Sequence, residues 1–114
     1  MLASWLELPG AADRISTWSQ ASGLDLAKLG TTATAEEITD TAVTQPLVVA
    51  ATLLAWEELT KRGLLAGRDF IAAGHSVGEI AAYAIAGVIS SDDAVALAAT
   101  RGAEMAKACA VEPT

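Results

Sequence analysis

The stretch FIAAGHSVGE, residues 70–79, constrains this chain more than any other. A serine stands between two glycines, with an apolar run leading in and an alanine-rich run leading out. The spacing Gly74-x-Ser76-x-Gly78 matches a nucleophile elbow, where a strand turns sharply into a helix and the serine hydroxyl is held out for attack. Such a turn, with its close helix–strand approach, leaves no space for Cβ atoms, which is the reason expected for Gly74 and Gly78. At the helix start Ser76 lies in the positive field of the helix N-terminus, and the backbone N–H of Val77 is placed to face a developing oxyanion.

The rest of the chain reads as helices. Ala11, Ile15 and Trp18 form the stripe of a first helix, with Gly23 past its end. Residues 24–30 make a short turn or helix, and Thr34 and Glu37 stand at capping-box spacing. In the long apolar helix that follows, Thr44 or Gln45 is the expected cap, Pro46 fits the first turn, Lys61 and Arg62 the last, and Gly63 the stop. Residues 68–74 are the best strand candidate. Residues 76–87 read as a helix ending at Gly87, and residues 90–110 as a helix with Ser90 and Asp93 at capping-box positions. One strand among helices is an odd inventory, because an elbow needs a parallel sheet around it and a lone strand is not stable. The fold class expected is therefore α/β, with the neighbouring strands supplied from outside this stretch.

Composition narrows the partners. The 114 residues allow one modest domain, and a net charge of -7, from 7 basic and 14 acidic residues, argues against nucleic acid or an anionic membrane. The single cysteine, Cys109, cannot make an internal disulfide and has no metal-ligand spacing around it. A reduced, cytoplasmic setting and no metal are expected. The first ten residues lack a basic leader region, and residues 46–56 are too short an apolar run to cross a bilayer. At 53% hydrophobic residues the chain is rich in apolar groups for its size, so part of its surface is expected to lie beneath something else.

Four further residues carry chemistry or mimic it. His75 is the only histidine. Adjacent residues of extended backbone point to opposite sides, so it is badly placed to accept the Ser76 proton, and packing or hydrogen bonding beside the turn is the plainer role. Glu79 reads as a structural hydrogen-bonding partner in the first helical turn. Arg101 shares a face with Leu97, Ala98 and Met105. An arginine on an apolar stripe needs an anionic partner or must reach water, and a surface pair with Glu104 is the competing reading. Cys109 reads as helix packing rather than a nucleophile.

The motif GHSVGE behind an apolar run, the upstream Thr44-Gln45-Pro46, and an arginine 25 positions after the serine together resemble the malonyl-CoA:acyl carrier protein transacylases, acyltransferases of fatty acid and polyketide synthesis. The resemblance covers nearly the whole chain. It implies a partial α/β-hydrolase-like large subdomain over residues 1–114, without the family's ferredoxin-like subdomain. It also implies that Ser76 accepts the acyl group, that Arg101 pairs bidentately with the free malonyl carboxylate, and that Gln45 lies near the active site. The substrates implied are malonyl-CoA and the phosphopantetheine thiol of acyl carrier protein, in a ping-pong scheme without a bound cofactor.

Departures from the family pattern matter equally. Its opening strand with a Gly-Gln-Gly motif and its downstream catalytic histidine and glutamine have no counterpart in these residues. The chain is accordingly expected to be truncated at both ends and essentially inactive alone. Two other readings use the same features: a serine hydrolase of the α/β-hydrolase or patatin type, indifferent to Arg101, and a non-catalytic fragment that assembles through its apolar surface.

Overall fold

The computed structural model describes residues 1–112; Pro113 and Thr114, the last two positions of the expected acyltransferase segment, lie outside the described residues. After a short 3-10 turn at Trp5–Glu7 come six helices: α1 (Ala11–Ser22), α2 (Leu26–Thr31), α3 (Ala35–Thr39), α4 (Thr41–Lys61), α5 (Gly78–Ile85) and α6 (Ser91–Val111). Their ends follow side-chain capping. Asp25, Thr34 and Ser90 accept from the backbone N–H groups of Lys28, Glu37 and Asp93 at 3.2, 3.2 and 3.0 Å. Gly23 closes α1 and Gly87 follows α5, as the sequence pattern indicates.

The start of α4 differs from expectation. The helix opens at Thr41, and Asp40 is its cap, accepting from the Ala42 N–H at 2.9 Å. Aspartate caps at least as well as threonine, so the earlier residue takes the role. Thr44 instead donates its hydroxyl to the Ile38 carbonyl, Gln45 is buried, and Pro46 stands inside the helix, forgoing one intrahelical hydrogen bond.

The core is the seam between α4 and α6, with α1 laid against both. Leu47, Val49, Ala50 and Leu53 of α4 share one buried cluster with Ala94, Val95 and Ala98 of α6, and the expected Ala11, Ile15 and Trp18 stripe of α1 is buried in it. Each large side chain sealed here contributes about 1.5–3 kcal/mol relative to exposure. Gly102 lets the two long helices touch: a Cβ there would stand 2.6 Å from the Thr41 carbonyl oxygen and 3.2 Å from the Ala42 Cα. A polar clamp closes the outside of the seam. Arg14 donates to both carboxylate oxygens of Glu57 at 3.0 and 2.7 Å, lies 3.6 Å from Asp92, and stacks 4.7 Å over the Trp18 ring, whose Nε1 donates to Asp92. The hydrogen bonds to Glu57 hold the Arg14 guanidinium above the usual arginine range, against the opposing effect of burial.

Residues 68–74 form no strand, and no strand occurs among the described residues. The reason is the absence of any extended neighbour to complete a ladder, since every regular element here is helical. The segment runs past α4 with Phe70 edge-on to Trp56 at 5.3 Å, while Ile71 is 95% exposed. The described residues are thus a helical assembly bearing one unpaired segment, and the strands of the expected α/β sheet are not among them. No helix among them is long and apolar enough to cross a membrane.

Candidate active site

The turn after residue 74 is built as the glycine spacing requires. Ser76 has φ 58°, the left-handed region, and among the described residues no other non-glycine has a positive φ. Holding a serine there costs on the order of 1–3 kcal/mol, which the surrounding turn must over-determine. Three hydrogen bonds do so: Gly78 N–H to His75 carbonyl, Glu79 N–H to Ser76 carbonyl, and Ile80 N–H to Val77 carbonyl, at 3.0–3.1 Å. A Cβ on Gly74 would lie 2.1 Å from the Gly78 carbonyl oxygen, so no larger residue fits. Gly78 differs from expectation. A Cβ there meets nothing within 4 Å, because it is the Gly78 peptide, not its Cα hydrogen, that crowds the incoming chain. Among the described residues the Val77 N–H donates no hydrogen bond, which leaves it free at the start of α5.

Arg101 ties the elbow to the long helices. From half-buried α6 its NH1 donates to Gln45 Oε1 on α4 at 2.7 Å, and its NH2 donates to Ser76 Oγ at 3.3 Å. Gln45, only 5% exposed, donates its Nε2 to Met105 Sδ at 3.2 Å. Ser76, Gln45 and Arg101, separated by 31 and 25 residues in opposite directions, therefore meet at one point. The alternative pairing of Arg101 with Glu104 does not form; Glu104 pairs with Lys107 at 3.0 Å.

The remaining sequence candidates stand apart. His75 is exposed and its side chain makes no hydrogen bond among the described residues. Glu79 is likewise exposed and forms no side-chain hydrogen bond there, because its backbone N–H rather than its carboxylate secures the turn. Cys109 is exposed instead of packed, since α6 extends beyond the seam where it lies. Among the described residues no group of His, Cys, Asp and Glu side chains is arranged to hold a metal.

The chemistry available follows from the donors. Ser76 Oγ projects from a strained turn beside a free backbone N–H and a guanidinium. An arginine has five N–H donors and no acceptor, so after its bonds to Gln45 and Ser76 it retains donors for an anion beside the serine. Arg101 cannot take the serine proton, and no other side chain among the described residues hydrogen-bonds that hydroxyl. The structure brings the sequence candidates Arg101, Gln45 and Ser76 together; Met105 was not foreseen as a partner of Gln45, and its position four residues after Arg101 on one helical face was the available signal.

Residues 11–112 match the model of the acyl transferase domain family. The chain is 84% identical over its full length to the malonyl CoA-acyl carrier protein transacylase of Mycolicibacterium smegmatis, spanning 39% of that protein. The crystal structure of MCAT from Mycobacterium tuberculosis superposes with a TM-score of 0.96 at 77% identity, covering 98% of this chain and 37% of that one. A malonyl-transacylase solved with a type II polyketide acyl-carrier protein superposes with a TM-score of 0.81 at 33% identity, over 95% of this chain and 35% of that one. The chain thus spans about two fifths of the length of the curated relatives it matches.

Proposed function

This chain belongs to the acyl transferase domain family, and on that premise we propose that it carries the nucleophile and acyl-recognition half of a malonyl-CoA:acyl carrier protein transacylase. The observation that carries the reading is the hydrogen bond from Arg101 to Ser76. It sets a carboxylate-binding fork beside the one hydroxyl the fold holds out for attack, an arrangement suited to an acyl group with its own free carboxylate.

In this reading Ser76 Oγ attacks the thioester carbonyl of malonyl-CoA. The carbon–sulfur bond breaks, the coenzyme A thiol leaves with a proton, and the malonyl group rests on Ser76 as an ester. The phosphopantetheine thiol of acyl carrier protein then attacks that ester and restores the serine. Val77 N–H supplies one oxyanion donor, and Arg101 pairs with the malonyl carboxylate while Gln45 braces the guanidinium. The base for Ser76 and a second oxyanion donor come from outside residues 1–112, so the segment alone does not turn over. Residues 69–74, whose backbone groups are unpaired on both edges among the described residues, become a strand of a parallel α/β sheet when the remaining strands are present. The setting is fatty acid or polyketide synthesis in the cytoplasm.

The test replaces the corresponding segment of the M. smegmatis relative with this chain and supplies radiolabelled malonyl-CoA. Label is expected on Ser76 and absent from the Ser76→Ala variant. Arg101→Ala is expected to lower malonyl transfer about 100-fold while sparing acetyl transfer. Turnover of neutral esters that ignores Arg101→Ala would establish a hydrolase instead, and labelling of the 114-residue chain at the chimaera's rate would refute the need for the remainder.

A further inference from the structure

We infer that Met105 is a positioning residue for acyl recognition: its thioether sulfur fixes the Gln45 amide, and through it the plane of the Arg101 guanidinium. The inference rests on the transacylase reading for its substrate, but on geometry for its substance. Gln45 is buried on α4 and its amide is held at both ends, by Arg101 at 2.7 Å and by Met105 at 3.2 Å.

The two contacts allow one orientation only. Arginine has no acceptor, so the amide oxygen must face it, and the amide nitrogen then points the other way. A thioether sulfur has no hydrogen to give, so it can only accept, and the nitrogen is the atom it meets. Turning the amide over would set donor against donor at Arg101 and acceptor against acceptor at Met105. The sulfur is also the partner that keeps the buried Nε2 from standing unpaired, and among the described residues no buried side-chain polar atom lacks one. Met105 lies one turn beyond Arg101 on α6, so a single helix supplies both the guanidinium and the sulfur that steadies its brace. Among the described residues Met105 hydrogen-bonds neither Ser76 nor Arg101. Its action on the acyl group is wholly relayed.

Leucine matches methionine in volume but cannot accept a hydrogen bond, which separates packing from positioning. Glutamine at 105 restores an acceptor. In the chimaera, Met105→Leu is expected to raise KM for malonyl-CoA about five- to tenfold with kcat held within about twofold, because the lost interaction acts on the ground state and the transition state alike. Acetyl transfer should be unchanged, and Met105→Gln should recover most of the malonyl KM. In a Gln45→Ala background Met105→Leu should have no further effect, since the relay is already cut. An unchanged KM in Met105→Leu overturns the inference, as does an equal loss in the Gln45→Ala background. Nuclear magnetic resonance of the Gln45 side-chain NH2 gives a reading that needs no turnover. Its signals should move in Met105→Leu and return in Met105→Gln; if they stay put in Met105→Leu the relay does not exist. Should the chimaera fail to transfer malonyl at all, the functional reading falls and this spectrum alone decides the positioning role.

Discussion

The α1–α4–α6 seam and the segment from residue 68 to residue 88 solve opposite problems. In the seam, apolar faces are covered, the helices touch at Gly102, and the Arg14 guanidinium is shared between Glu57 and Asp92 while it caps the Trp18 ring. Around the elbow, Phe70, Ile71, Tyr83 and Val88 are exposed, and the backbone of residues 69–74 makes no hydrogen bond to backbone among the described residues. Part of the surplus of apolar residues expected to lie beneath something else is found here, with Leu97, Met105 and Val111 of α6 exposed as well. The residues that hold the assembly together are thus largely distinct from those of the candidate site, where Arg101 and Gln45 reach across to Ser76.

Amide exchange would break or sharpen that contrast most visibly. In the chain by itself, amides of α4 and α6 near Leu53 and Ala98 should exchange on the order of 10³-fold more slowly, after correction for sequence, than those of residues 69–74. In the chimaera the gap should close, because strands then cover both edges. Comparable protection in the isolated chain would mean that the segment finds a partner within these residues.

Glycine replacements come next in size. Gly102→Ala forces a methyl into the Thr41 carbonyl, backbone against backbone, and should cost about 1–3 kcal/mol in a denaturant titration. Gly78→Ala meets open space and should stay within about 0.5 kcal/mol of the parent. If the two variants exchanged places, the tight seam and the roomy helix start would both be misassigned.

The clamp outside the seam is worth less. Arg14→Ala should cost about 1 kcal/mol, because the pair with Glu57 is about one-third exposed and screened. The sign of its pH dependence follows from the raised Arg14 pKa. Stability gained from the charged form is fully present below the unfolded-state value and is lost only as pH rises through the still higher folded-state value. The difference between parent and Arg14→Ala should therefore stay level from pH 7 to pH 10; a decline across that window would show that another group governs the clamp.

Much of the helical framework was legible because its signals are local. The Ala11, Ile15, Trp18 stripe and the Thr34 and Ser90 caps need only a few neighbouring residues to express themselves. The start of α4 was misread because Pro46 resembles a first-turn residue, and Asp40, the actual cap, stands six positions earlier. The strand over residues 68–74 has the right residues but lacks the partners that make a strand. Ser76 was legible from two glycines, although only Gly74 proves sterically necessary. The union of Arg101 with Gln45 across 56 residues depends on how α4 and α6 are set against each other, which no local pattern encodes.

That setting has a gauge. Gly102 directly follows Arg101, and the Thr41–Ala42 backbone it touches lies one turn before Gln45. The missing side chain at residue 102 therefore works as a spacer of zero thickness: it fixes how far Arg101 must reach to grip Gln45, and hence where the guanidinium stops relative to Ser76. A single methyl at that point would therefore be felt at the candidate site as well as in the seam, by pushing the Arg101 guanidinium away from Gln45.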